Sequence, residues 1–95
     1  MYENLSWEEI KQLTEKGAQL IDVRSNIEFM GGALSGAVNI PFESMQHSAH
    51  SIDKDKPVIL YCRSGMRSGA VKQFLEALGF CEVYNIGGYK NYATC

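Results

Sequence analysis

Cys62 is followed directly by Arg63, Ser64, Gly65, Met66, Arg67 and Ser68, residue types that suit a reactive sulfur held against an anion. What that sulfur does depends on its flanks. Residues 57–61, Pro-Val-Ile-Leu-Tyr, form a short apolar, β-rich run that predicts a buried strand. Beyond the cluster, Ala70, Val71, Phe74, Leu75 and Leu78 recur at helical spacing, and Gly79 supplies a stop. Cys62 therefore stands at a strand's carboxyl end and a helix's amino end. There, free N–H groups and the positive end of the helix dipole favour anionic sulfur. Arg63 and Arg67 add fixed positive charge, which draws a thiol pKa below its reference of about 8.5. The expected product is a nucleophilic thiolate at neutral pH. A lone cysteine at a strand end is ordinarily a small core residue. Two arginines, two glycines and two serines over residues 63–69 argue otherwise, because burying such a loop strands its polar groups.

The elements that hold this loop are legible on either side of it. Ser6 and Glu9 make a capping-box pattern, after which Trp7, Ile10, Lys11, Leu13 and Thr14 continue at helical spacing to Gly17. Residues 19–23 read as a short apolar strand ending in Arg24, and Ser25 with Glu28 repeats the capping box for a brief helical turn. Gly31, Gly32 and Gly36 punctuate a loop, and residues 37–40 read as another strand, stopped by Pro41. Residues 42–52 form a weaker helical segment, and residues 53–56 a solvated turn. The helix after Cys62 is predicted from about Arg67, followed by a strand over 82–86 and a Gly87-Gly88 turn into a last helical turn at 89–93. Helices alternating with short apolar strands predict an α/β fold, a largely parallel central sheet with helices on both faces. Such sheets bind ligands at strand carboxyl ends, where Asp22, Arg24 and Cys62 fall.

A chain of 95 residues suits one domain, 1–95, around one modest core. Its apolar fraction of 45% and charged fraction of 21% argue against disorder. Nine Lys and Arg against eleven Asp and Glu leave no basic face, so no nucleic-acid partner is expected. No apolar stretch approaches a bilayer span, and residues 1–9 lack the basic and apolar regions of a signal peptide. The expectation is a cytoplasmic protein with no membrane partner. Cys62, Cys81 and Cys95 cannot all pair within one chain, and none makes a Cys-x-x-Cys, so neither a disulfide scaffold nor a zinc site is expected. With no Gly-x-Gly-x-x-Gly, Walker-type loop or metal spacing, no cofactor or metal is expected.

Four segments, in order, resemble one known family. Leu20-Ile21-Asp22-Val23-Arg24 with Glu28-Phe29 is similar to its opening Asp-Val-Arg motif and downstream acid-aromatic pair. Gly36-Ala37-Val38-Asn39-Ile40-Pro41 is similar to its Gly-Ala-x-Asn-Ile-Pro segment, residues 61–68 to its active-site loop, and Gly87-Gly88-Tyr89 to its closing Gly-Gly-aromatic turn. The family is the rhodanese domain, in particular the small single-domain sulfurtransferases, and the resemblance runs from about Leu5 to Ala93. Where that family often reads Gly-His-Ile-Pro-Gly-Ala, this chain has Gly32-Ala33-Leu34-Ser35-Gly36-Ala37. Losing the histidine and proline removes any role a histidine plays beside the loop and is expected to loosen it.

The resemblance implies that Cys62 attacks the outer sulfur of a donor such as thiosulfate, releases sulfite, and holds a persulfide. That sulfur then passes to a thiophilic acceptor such as cyanide or a thiol, including a thiol on a partner protein. The small anionic donor suits Arg67 and Arg63 as charge partners. The backbone of Ser64, Gly65, Met66, Arg67 and Ser68 suits a cradle for the charged terminal sulfur. Two other readings stay open. Cysteine phosphatases and arsenate reductases also place a thiolate and an arginine on a strand-loop-helix. Their loops carry one residue more than the four that separate Cys62 from Arg67, and a shorter loop encloses a pocket sized for one sulfur atom. A persulfide carrier or binding module serving a dedicated protein is the alternative from a different class.

The remaining residues carry less. Asp22 and Arg24 are expected to form a buried ion pair, with Glu28 or with the active loop, that supports the loop's shape. His47 and His50 read as solvated residues, and Trp7, Phe29, Phe74 and Phe80 as core or core rim. Cys81 is expected to be a buried packing residue and Cys95 an exposed thiol.

Overall fold

Alternation of short apolar strands with capped helices produces a four-stranded parallel sheet, here in a computed structural model that describes residues 3–93. In chain order the elements are α1 (Trp7–Glu15), β1 (Gln19–Asp22), α2 (Asn26–Met30), β2 (Val38–Asn39), α3 (Met45–Ser48), β3 (Val58–Cys62), α4 (Met66–Ala77) and β4 (Val83–Gly88). Single 3-10 turns at Phe42–Ser44 and Ala49–Ser51 flank α3, and another at Tyr89–Asn91 follows β4. The strand order is β2-β1-β3-β4, with every pair parallel.

Both expected capping boxes form. Ser6 Oγ accepts from Glu9 N at 3.1 Å while Ser6 N donates to Glu9 Oε1 at 2.8 Å. Ser25 Oγ accepts from Glu28 N at 3.2 Å, and Ser25 N donates to Glu28 Oε1 at 2.9 Å. Each box satisfies amide groups that a helix start otherwise leaves bare.

The two sheet faces bury different residues of the same strands, as a period of two requires. Ile21, Val23, Val58, Leu60, Cys62 and Val83 pack with Met45, Ala49, Val71, Leu75 and Phe80. Leu20, Ile59, Tyr61 and Ile86 pack with Ile10, Leu34 and Tyr92 on the other side. Helices thus cover both faces, and β3, central in the order, is buried along its whole length.

Two local expectations change. Gly87 and Gly88 belong to β4 rather than to a turn after it. Leu60 pairs with Asn85 and Cys62 with Gly88, so β4 spends one residue more than β3 over the same rise, a bulge around Gly87 at φ +91°. That bulge carries the end of β4 up against the loop after Cys62. Cys81 is exposed, not packed in the core. Gly79 turns the chain out of α4 at φ +103°, and Phe80 takes the buried place beside it. Cys95 lies outside the described residues.

Candidate active site

The loop between β3 and α4 turns on Gly65, which holds φ +95° and stands at the N-cap of α4 without a side-chain cap. The amides that a capping oxygen would satisfy are therefore free to face a different acceptor. That acceptor is Cys62. Gly65 N donates to Cys62 Sγ at 2.9 Å, and the Ser68 hydroxyl stands 3.4 Å from the same sulfur. The cysteine is fully buried, and burial alone pushes a thiol pKa up. Hydrogen bonds from the Ser68 side chain and from the Ser68, Ser64 and Gly65 amides outweigh that cost, so the thiol titrates below its ordinary value. Oriented backbone groups at a helix start thus favour the anionic form of this sulfur.

Behind the loop, Asn85 of β4 ties three segments together. Its Oδ1 stands 2.6 Å from Ser68 Oγ and accepts from Gly87 N at 3.0 Å, while its Nδ2 donates to Gly65 O at 3.0 Å. Gly88 comes so close that a Cβ there would lie 2.5 Å from the Arg63 carbonyl oxygen. The end of β4 is thus a wall against which the loop is pressed.

The end of β1 supports the other side. Arg24 Nη2 donates to Asp22 Oδ2 at 2.7 Å, and both groups are buried. The same Nη2 donates to Gly32 O at 2.6 Å, and the guanidinium carbon lies 4.2 Å from the Tyr89 ring centre and 5.6 Å from that of Tyr61. Tyr61 Oη accepts from Leu34 N at 3.0 Å. Asn39 Nδ2 donates to the carbonyls of Asp22 and Arg24 at 2.9 and 3.0 Å, stapling β2 to the same corner. On the surface above, Arg67 forms a two-bond pair with Glu28, Nη1 to Oε1 at 3.0 Å and Nη2 to Oε2 at 3.2 Å. This pair, with the Ser25 amide, holds the Glu28 carboxyl at a pKa of about 2, well below its ordinary 4.5.

A reactive cysteine in a backbone cradle recurs on several folds, so the family rests on the whole chain. The family model for the rhodanese-like domain matches residues 6–95. The chain belongs to the rhodanese-like domain family. Among curated relatives, the uncharacterized protein YqhL of Bacillus subtilis is 44% identical over 91 residues, covering 87% of this chain and 72% of that one. The thiosulfate sulfurtransferase GlpE of Shewanella oneidensis is 33% identical over 88 residues, covering 92% of this chain and 87% of its own. The crystal structure of reduced CoADR-RHD from Bacillus anthracis superposes with a TM-score of 0.86 at 33% identity, covering 98% of this chain and 17% of that longer one.

Within this rhodanese-like domain, the residues singled out by sequence distribute unevenly. Cys62, Ser64, Gly65 and Ser68 converge, with the sulfur at the focus. Met66 caps nothing and is 81% exposed, and Arg63 is exposed on the rim of a hollow of about 300 Å³ shared with Ile27, Tyr89 and Lys90. Arg67 is not an open cation; Glu28 already occupies it. The buried ion pair joins Asp22 to Arg24 and not to Glu28, because Glu28 is turned by its capping box toward α4. The 32–37 segment that lacks the histidine and proline is nonetheless anchored, through Gly32 O on Arg24 and Leu34 N on Tyr61. Sequence reasoning missed Asn85 and Tyr61. Asn85 reads locally as one more polar residue in a strand, and its only cue is a strand position facing the Ser68 helix.

Proposed function

We propose that the chain is a sulfurtransferase that moves a sulfane sulfur from thiosulfate, or a similar small anionic donor, to a thiophilic acceptor through a persulfide on Cys62. The observation that carries this reading is the convergence of the Gly65 amide and the Ser68 hydroxyl on one buried sulfur at the start of α4. The thiolate attacks the donor's outer sulfur. An S–S bond forms at Sγ, the donor's own S–S bond breaks, and its electron pair leaves with sulfite. The new terminal sulfur carries the negative charge about 2 Å further from β3, among the amides of Ser64 to Ser68. Arg63, and Arg67 to the extent that Glu28 releases it, attract the donor. An acceptor, cyanide, a small thiol or a thiol on a partner protein, takes the terminal sulfur and returns the Cys62 thiolate. The chemistry asks for no cofactor, nucleic acid or membrane. It is the work of one cytoplasmic domain over 1–95.

Intact-protein mass spectrometry after incubation with thiosulfate tests this, with sulfite measured in the same samples. The expected outcome is a gain of one sulfur atom on the native protein, none on Cys62→Ser, and loss of the label on adding cyanide or thiol. A folded native protein that gains no sulfur refutes the thiosulfate reading.

A further inference from the structure

Ser68 has one hydroxyl proton, and two acceptors stand within its reach: Cys62 Sγ at 3.4 Å and Asn85 Oδ1 at 2.6 Å. We propose that Asn85 is a positioning residue whose side-chain oxygen shares that proton with Cys62, so that one rotating hydroxyl serves each charge state of the sulfur. The geometry suits Asn85 to this part. It is 1% exposed, and its amide is held at both ends, by Gly65 O through Nδ2 and by Gly87 N through Oδ1. Ser68 is fully buried as well, so solvent supplies its hydroxyl with no alternative partner.

In the thiol, S–H donates to Ser68 Oγ and Ser68 donates on to Asn85, a chain in which every proton has an acceptor. When the thiol proton leaves to solvent, the charged sulfur becomes the stronger acceptor and the hydroxyl turns to it. Attack on a donor then moves the charge to the new terminal sulfur, among the loop amides. Sγ is left neutral and divalent, a weak acceptor, and the hydroxyl returns to Asn85. No proton changes owner in that last turn. Asn85 therefore favours the thiol and the persulfide and opposes the thiolate between them. The persulfide arm rests on the sulfur-transfer reading above, whereas the thiol-thiolate arm does not.

The charged groups around this unit are Arg63 and Arg67 of the loop, Glu28 and Glu43 facing Arg67, and the Asp22–Arg24 pair at the end of β1. On the far side, Glu3 accepts from the Asn85 backbone amide and contacts Lys72. None of them bonds to the Ser68 hydroxyl or the Asn85 side chain, so they are common to all the variants below.

The test is the pH profile of iodoacetamide alkylation at Cys62, read by intact mass with Cys81 and Cys95 replaced by serine. Ser68→Ala is expected to raise the apparent pKa. Asn85→Ala is expected to lower it, giving about fivefold faster alkylation on the acid side. In a Ser68→Ala background, Asn85→Ala is expected to give no such lowering, because what it then removes is only the bonds to Gly65 and Gly87. A merely structural Asn85 would disorder the loop and raise the pKa, with or without Ser68, and that outcome overturns the proposal. So does an unchanged profile in Asn85→Ala. If Asn85→Ala does not fold, the native protein labelled with 13C decides the matter. The Asn85 Cγ resonance is expected to move as Cys62 titrates and to return once thiosulfate has loaded the persulfide. A static resonance, or the same movement in Ser68→Ala, overturns the shared proton. Movement on titration without any persulfide after thiosulfate supports the shared proton and refutes only the thiosulfate reading.

Discussion

Glu28 carries two duties at once, closing the capping box of α2 and holding Arg67 across the gap to α4. Arg67's hydrogen bond is the largest cause of the depressed carboxyl pKa, from 4.5 to about 2, followed by the Ser25 amide. A carboxyl whose folded pKa is depressed contributes stability that is full above the unfolded value and is lost as pH falls through the folded one. Thermal melts of the native protein and Glu28→Gln should therefore differ near neutral pH, with the margin closing between about pH 4.5 and pH 2. A margin that does not change with pH would show that the ion pair contributes nothing. In the proposed sulfur transfer, the same substitution releases Arg67 for the donor. The KM for thiosulfate is expected to fall, by up to about fivefold for a part-exposed pair, with kcat little changed. Steady-state sulfite release measures both constants.

Glycines at the ends of elements act through two separable causes. Gly36 holds φ +84° with nothing near its missing Cβ, so Gly36→Ala meets backbone strain alone, about 1 kcal/mol. Gly88 has ordinary backbone angles but faces the Arg63 carbonyl, which a Cβ would approach to 2.5 Å. Gly88→Ala must push β4 or the active loop aside, at a cost of about 1–3 kcal/mol. Both variants should melt below the native protein. Only Gly88→Ala should also slow Cys62 alkylation and sulfite release, because its clash falls on the loop that cradles the sulfur. Equal activity losses in the two would mean that stability, and not loop position, sets the rate.

Across the whole molecule, the Asp22–Arg24 pair is where distant segments meet. Arg24 joins β1 to the 32–34 loop through Gly32 O and to β3 and the chain after β4 through the Tyr61 and Tyr89 rings. Removing one member of a buried pair leaves the other charge uncompensated, which costs about 3–5 kcal/mol. Asp22→Asn should accordingly lower the melting temperature by some 15 °C or more for a domain of this size. Tyr61→Phe should lower it less, since it removes the hydroxyl's bonds to the buried Leu34 amide and to Asp22, about 1–3 kcal/mol, but leaves the Asp22–Arg24 charge pair in place. Differential scanning calorimetry orders the two, and the reverse order would place the anchor in the tyrosine hydroxyl and not in the ion pair.

The sequence by itself determined whatever is closed by neighbours in the chain. The two capping boxes link residues three apart, strand faces follow a period of two, and Cys62 with Ser64, Gly65 and Ser68 lies within one strand-loop-helix step. The α/β class and the gathering of these residues around one sulfur were therefore readable directly. Tertiary structure alone decided which charges and amides find one another across the sheet. Asn85 lies 17 residues from Ser68 and 20 from Gly65, and Glu28 lies 39 from Arg67. Nothing local marks such pairs. Their partners are chosen by strand order, by the one-residue bulge that brings β4 to the loop, and by the burial that leaves a polar group no acceptor except the one the fold supplies. Cys81 obeys the same rule: its composition suggested a core residue, and the turn at Gly79 put Phe80 there in its place.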